Sequence, residues 1–247
     1  MSIITHHRTA PLAVAPRSAE AQDKRVLFDH YWETRDLRSV DLRTRLRIAI
    51  VEAMLDGRIG RLLDVGCGRG TVAAHFAELG HLVTAVDVSP LAIRWTERQH
   101  PHIKAAVLDV ESEPLTGTFE TILCLEVLQQ VRNPVDALAK MRDALAPAGA
   151  LIVSLPNEFH LARRLAILLG CVDFGGIEDT HIKLYTPAEH HRLFAACGLE
   201  IEQSQSQSII PPRWDNGSLH HALNPFANRF PGLLALSTVY LLRPALQ

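Results

Sequence analysis

Residues 62–70 read LLDVGCGRG, an apolar run carrying Asp64 that breaks into three closely set glycines, Gly66, Gly68 and Gly70. A short apolar run that stops at glycines predicts a strand handing over to a helix, through a backbone bare enough for a ligand to approach. The helix that follows presents unpaired N–H groups at its start, so a nucleotide-like ligand is implied. A dinucleotide fingerprint, G-x-G-x-x-G, would need its third glycine at position 71, where the chain has Thr71. The closer-set D-x-G-x-G-x-G form takes its place.

Outward from this loop the same alternation continues. RLLDV (61–65), HLVTAVDV (81–88), IKAAVLDV (103–110), TILCLEV (121–127) and ALIVSLP (150–156) read as strands. Between them lie helices: TVAAHFAEL closed by Gly80, Pro90–Gln99 capped by Ser89, and one that Asn133 caps and Pro134 opens, running to Ala146. Runs that are apolar on both faces and separated by helices predict a doubly wound, Rossmann-like α/β fold with a parallel sheet. Upstream, KRVLFDHYWETRD (24–36) and VDLRTRLRIAIVEAMLDG (40–57) read as helices. In the second, Leu42, Leu46, Ile50 and Met54 share one face, Asp41 caps and Gly57 stops the helix. Downstream, HLARRLAILLG (160–170) reads as a helix, and Thr186, Pro187 and Glu189 form a capping box for another that ends at Gly198. LEIEQSQSQS (199–208) and STVYLLRP (237–244) read as the last strands. The expected organisation is a flexible tail over 1–22 and one domain over 23–247, comprising a helical cap (23–57), a ligand-binding core (58–157) and acceptor-side helices with the last strands (158–247).

Composition limits the function classes. The chain has 247 residues, 25 Lys+Arg against 27 Asp+Glu and 47% hydrophobic residues, which argues against a disordered or strongly basic nucleic-acid protein. The longest apolar stretches, 144–157 and 230–242, fall short of the ~20 residues of a bilayer-spanning helix, so no stable membrane insertion is expected. The N-terminal residues lack the sustained apolar run of a secretory signal, and the chain is expected to be cytoplasmic. Cys67, Cys124, Cys171 and Cys197 are far apart, with no pair at metal or redox spacing, and read as reduced, buried thiols.

Asp87 ends the second strand 21 residues after Gly66, the separation of a carboxylate that accepts both hydroxyls of a ribose. Asp109 holds the same place after the third strand, within reach of an adenine amino group. An Asp after a strand often serves only as a helix cap. Asp64, Asp87 and Asp109 at the ends of adjacent strands instead form one acidic crevice, suited to a ligand without phosphates and with positive charge.

The stretch from about Arg61 to Asn157 resembles the class I S-adenosylmethionine-dependent methyltransferases, in the broad group that includes ubiquinone-type O-methyltransferases. LLDVGCGRG, VTAVDVSP, VLDVESEP, FETILCLEVLQQVRNP and LAPAGALIVSLPN resemble its successive motifs. The resemblance implies a seven-stranded sheet ending in a reversed β-hairpin, S-adenosyl-L-methionine as cofactor with S-adenosyl-L-homocysteine as product, and a small-molecule acceptor methylated most readily at oxygen. It also implies residue roles. Gly66, Cys67 and Gly68 line the methionine part of the cofactor, and Asp64 holds that loop and the amino group. Asp87 binds the ribose, with Val88 against the adenine face. Asp109 and Val110 read the adenine edge, Leu125 and Glu126 floor the site near the sulfonium, and Tyr31, Trp32 and Arg35 close over it, with the alternative that Tyr31 and Trp32 only pack their helix onto the sheet.

Methyl transfer from a sulfonium is an in-line displacement that needs positioning rather than a nucleophilic side chain. A base helps when the acceptor is a hydroxyl, and a histidine is the natural choice. His160 in PNEFH and His181 are the candidates, each with the alternative of a plain loop histidine. Phe174–Ile177 and Ile209–Trp214 are expected to line the acceptor cavity. Arg163 and Arg164 mark a substrate lid, a membrane-facing patch or a solvated helix face.

LQQVRNP, VSLPNEFH and HIKLYT also resemble the MetW-like branch, in which a methyltransferase-shaped chain acts with another enzyme. Gln129 and Gln130 stand where many small-molecule O-methyltransferases of the group have an acidic residue and a histidine. A scaffold or binding role therefore stays open beside the enzymatic one, as do a homodimer and a partner enzyme.

Overall fold

Alternate side chains of each central strand must find cover on opposite faces, and helices supply it on both sides. The computed structural model describes residues 19–34, 42–171, 180–208 and 218–245. Two helices come first, α1 (Ala19–Glu33) and α2 (Leu42–Leu55). The alternating core follows as β1 (Arg61–Val65), α3 (Thr71–Glu78), β2 (Leu82–Asp87), α4 (Pro90–Gln99), β3 (Lys104–Val107) and β4 (Phe119–Leu125). A 3-10 turn over Leu128–Gln130 leads to α5 (Pro134–Asp143), β5 (Leu145–Pro156) and α6 (Leu161–Leu168). The chain ends with α7 (Pro187–Ala196), β6 (Leu199–Ser208), α8 (Ser218–Arg229), α9 (Pro231–Leu234) and β7 (Ala235–Pro244).

The strands form one seven-stranded sheet in the order β3-β2-β1-β4-β5-β7-β6. β1 to β5 pair in parallel, and β7 runs antiparallel between β5 and β6. The carboxyl ends of β1, β2, β3 and β4 therefore lie side by side along one edge, where an open α/β sheet leaves its crevice. On one face Leu63, Val65, Ile122, Leu151 and Tyr240 pack against Leu138 and Met141 of α5 and Phe194 of α7. On the other, Leu62, Ala85, Leu123, Ile152 and Leu241 pack against Val51 and Met54 of α2 and Phe76 of α3.

The caps form as the sequence predicts. Ser89 Oγ accepts from Ala92 N–H, Asn133 accepts from Asp136 N–H, and Thr186 with Glu189 makes the full capping box. The boundaries differ more than the elements. α1 begins at Ala19, inside the stretch expected to be tail, while residues 1–18 and the expected cap Asp41 lie outside the described residues. β3 stops at Val107, because Asp109 draws the chain into a turn by accepting from Glu111 N–H and the Ser112 hydroxyl. α5 ends at Asp143, and β5 starts early at Leu145 and bends at Ala148, whose φ is 60°.

The last two strands are antiparallel neighbours as expected, but α8 and α9 lie between them in the chain in place of a tight turn. Cys67, Cys124 and Cys197 are buried free thiols; Cys171 is exposed, because it follows the last turn of α6 at the surface. Among the described residues no helix is long and apolar enough to cross a membrane.

Candidate functional site

The loop after β1 owes its shape to its glycines. Gly66, Gly68 and Gly70 have φ of 72°, 54° and 74°, the left-handed region where a side chain is strained. Gly66 and Cys67 donate their N–H groups to Val86 O at 2.8 and 3.0 Å, which ties the loop to β2. A Cβ on Gly68 would sit 2.6 Å from the Trp32 ring, so α1 lies directly on the loop. Cys67 is buried beside acidic groups, and burial pushes its thiol well up, so it contributes backbone and bulk rather than reactivity.

The three aspartates lie at or just past the ends of adjacent strands, each with a different set of partners. Asp64 is 2% exposed, and its Oδ2 has no hydrogen-bond partner. Burial, followed by the Asp87 charge, raises its carboxyl from 3.8 to about 7. Asp87 accepts from Gly68 N–H and Ser89 N–H, both at 2.8 Å, and burial lifts it to about 6 despite those bonds. Asp109 Oδ1 accepts from Lys24 Nζ at 2.8 Å and from Glu111 N–H at 3.1 Å, and its Oδ2 accepts from the Ser112 hydroxyl at 3.1 Å.

An ionised carboxylate offers about four acceptor positions. Asp64 thus holds one whole oxygen ready for a cationic donor, Asp87 has about two positions left for paired hydroxyls, and Asp109 about one for an amino group. That inventory fits S-adenosylmethionine: its ammonium at Asp64, its ribose at Asp87 and its adenine at Asp109. Val88 is half-buried at the bend after β2 and Val110 is buried after β3, both in place to flank an adenine.

Leu125 ends β4, and Glu126 follows with φ 59°, a left-handed conformation that costs a non-glycine residue on the order of 1 kcal/mol or more. Partners hold it there. Glu126 Oε1 accepts from the hydroxyls of Ser154 and Ser237 at 2.8 and 2.9 Å, and the Arg47 guanidinium of α2 lies 3.3 Å away.

α1 closes the crevice from above. Lys24 bridges Asp109 and Glu111, Arg25 pairs with Glu113 at 2.8 Å, and Asp29 accepts from the Ser89 hydroxyl at 2.5 Å and from Leu91 N–H at 2.9 Å. Tyr31 stands edge-on to Trp32, with ring centroids 5.2 Å apart. Arg35 lies outside the described residues, as do Phe174–Ile177 and Ile209–Trp214. Sequence reasoning missed Lys24 and Asp29. The signal was available: Lys24, Phe28 and Trp32 recur every four residues on one face, and Arg25 and Asp29 lie on the adjoining row.

The two candidate histidines meet at one acid. His160 is the N-cap of α6, its Nδ1 accepting from Arg163 N–H at 3.4 Å, and burial followed by the Arg163 charge holds it below its usual range. His181 Nδ1 lies 3.1 Å from Glu158 Oε1, while Glu158 Oε2 binds the Arg163 guanidinium. Burial alone would raise Glu158, but the nearby His181 and the Arg163 charge outweigh it and keep the carboxyl low. Arg163 is therefore buried in an ion pair rather than part of a solvated face. Gln129 O accepts from Ile182 N–H and Lys183 N–H at 2.9 and 3.0 Å, and Gln130 Nε2 donates to the Thr180 hydroxyl at 3.2 Å. The two glutamines that depart from the group's pattern thus fasten the segment that carries His181.

Comparison with known proteins agrees with this architecture. A methyltransferase domain family matches the chain over residues 31–204. The mitochondrial ubiquinone biosynthesis O-methyltransferase of Schizosaccharomyces pombe is 36% identical over 117 residues, 44% of this chain and 42% of that enzyme. The ubiquinone biosynthesis O-methyltransferase of Xanthomonas oryzae is 32% identical over 130 residues, 50% of this chain and 54% of that enzyme. The chain thus spans about half the length of these curated relatives. Among solved structures, the 1,6-didemethyltoxoflavin-N1-methyltransferase of Burkholderia thailandensis superposes with a TM-score of 0.62 at 22% identity, covering 94% of this chain and 93% of that one. At that identity the likeness shows the fold.

Proposed function

Because this chain belongs to the methyltransferase domain family, we propose that it binds S-adenosylmethionine in the crevice under α1 and transfers a methyl group to a small-molecule acceptor, at oxygen. The observation that carries the reading is the inventory of free acceptor positions on Asp64, Asp87 and Asp109, above all the buried Asp64 oxygen left without a partner. When bound, the sulfonium supplies an electrophilic methyl group that needs only an aligned acceptor. The chain's own part is to hold and orient. Asp64 anchors the amino group, Asp87 fixes the ribose, and the Gly66–Gly70 loop allows close backbone approach. The rigid Glu126 turn shapes the floor beside the methyl group, and α1 excludes water. Oxygen as the methylated atom is supported by the names of the relatives above, which match about half of their length.

A second reading, a methyltransferase-shaped partner of another enzyme, is supported by Gln129 and Gln130 standing where the group's acidic residue and histidine would be, with the Gln130 side chain here a fastener. Mass spectrometry of S-adenosylhomocysteine formed from S-adenosylmethionine separates the two, with a panel of catechols, phenols and hydroxy acids as acceptors. Acceptor-dependent product is expected. Tight cofactor binding with no turnover on any hydroxyl compound, and turnover only when a second protein is added, would favour the partner role.

A further inference from the structure

Beyond β5 lies a cluster of titratable groups that neither the sheet nor the crevice uses. Glu158 stands two residues past the strand, with its side chain 10% exposed. Asn157 fixes the turn that carries it: its amide donates to the carbonyls of Pro231 and Ala235, both at 3.0 Å, and its Oδ1 accepts from Phe159 N–H at 3.1 Å. His181 arrives from the other side, on the segment fastened to the 3-10 turn that follows β4 and Glu126. The pair therefore joins the ends of two adjacent strands, at the edge where Glu126 floors the crevice. Arg163 pairs with Glu158 directly, His160 feels its charge, and the Arg43 charge on α2 reaches His160.

The ring nitrogens separate the two histidines. His160 Nδ1 accepts the helix-capping bond, so in the neutral ring the proton sits on Nε2, which then only donates. His181 is the reverse. Its Nδ1 lies 3.1 Å from an ionised Glu158 oxygen without being aligned for a hydrogen bond to it, and a lone pair on Nδ1 would face the carboxylate's own, so the proton sits on Nδ1 and Nε2 keeps its lone pair.

We propose that His181 Nε2 is the base that takes the acceptor's hydroxyl proton and that Glu158 is its positioning residue. This makes the acceptor a hydroxyl compound and rests on the methyl-transfer reading above. The acceptor oxygen's lone pair bonds the methyl carbon while the carbon–sulfur electron pair leaves with sulfur, and the hydroxyl proton passes to Nε2. Glu158, itself held by Arg163, balances the imidazolium, which returns the proton to water after product leaves. A base of this kind contributes roughly 10²- to 10⁴-fold in rate.

The test is nitrogen-15 NMR of the histidine side chains in the full-length chain, without cofactor and above the imidazole titration. In the wild type His181 is expected as the Nδ1–H form and His160 as Nε2–H. Glu158→Ala should shift His181 toward the Nε2–H form that a free imidazole prefers and leave His160 in place, and Glu158→Asp should restore Nδ1–H. An Nε2–H His181 in the wild type would overturn the proposal, as would a tautomer unmoved by Glu158→Ala. The wild-type spectrum decides even where a variant does not fold. Calorimetry with S-adenosylhomocysteine on the wild type, run beside it, reports on the methyl-transfer reading separately.

Discussion

Asp64→Asn should make the cofactor-free protein more stable in alkali and leave it nearly unchanged in acid. The Asp64 carboxyl ionises at 3.8 in an open chain and at about 7 in the fold, because burial, and after it the Asp87 charge, penalise its ionised form. Between those values the folded protein holds a proton that the unfolded chain has released. A group raised in this way contributes stability that is complete below 3.8, falls as pH rises and is lost above 7. Each pH unit well inside the window is worth about 1.4 kcal/mol and the slope halves near 7, so going from pH 5 to 7 removes about 2 kcal/mol.

Asparagine keeps the shape and does not titrate, and Asp87 titrates in both proteins and drops out of the difference. Urea unfolding followed by circular dichroism at pH 5, 6, 7 and 8 should show the variant gaining about 3 kcal/mol on the wild type across the range. Stability curves that run parallel within 1 kcal/mol would refute the premise that a buried Asp64 with one unpartnered oxygen waits for a cation. The same variant should lose cofactor affinity.

Asp87→Ala removes two hydrogen bonds to ribose hydroxyls at about 1.5–3 kcal/mol each, so calorimetry should find cofactor affinity reduced at least ~100-fold; unchanged affinity would remove Asp87 from the site. Gly68→Ala places a Cβ in the left-handed region and against Trp32, and urea midpoints should show a loss of about 2 kcal/mol. In a Trp32→Leu background the loss should fall to about 1 kcal/mol; an equal loss in both backgrounds would mean that α1 does not rest on the loop.

Much of the core was legible because its signals are local. The glycine spacing, the Ser89, Asn133 and Thr186 caps and the apolar runs each act within a few residues, and all appear in the structure. Asp64, Asp87 and Asp109 follow from strand ends that the same pattern locates. The partners of these groups were not legible, because Lys24 meets Asp109 across 85 residues of chain and no short window carries that contact. α8 was missed because Pro225 lies inside it and argues against a helix. Glu158 gave no signal of its own, since its approach to His181 exists only once the 180–183 segment is laid beside β5. Gln129 and Gln130 showed as departures from a pattern; the Gln130 side-chain amide binds that segment, while Gln129 binds it through its main-chain carbonyl, which any residue would supply.

The most direct measurement is calorimetric titration of the purified protein with S-adenosylmethionine and, separately, S-adenosylhomocysteine at pH 8, where Asp64 is ionised. Micromolar binding of both is the predicted result, with protons released when the titration is repeated near pH 6.5 because the cofactor's ammonium displaces the Asp64 proton. Absence of heat with either ligand, in protein that is folded by circular dichroism, would contradict the account.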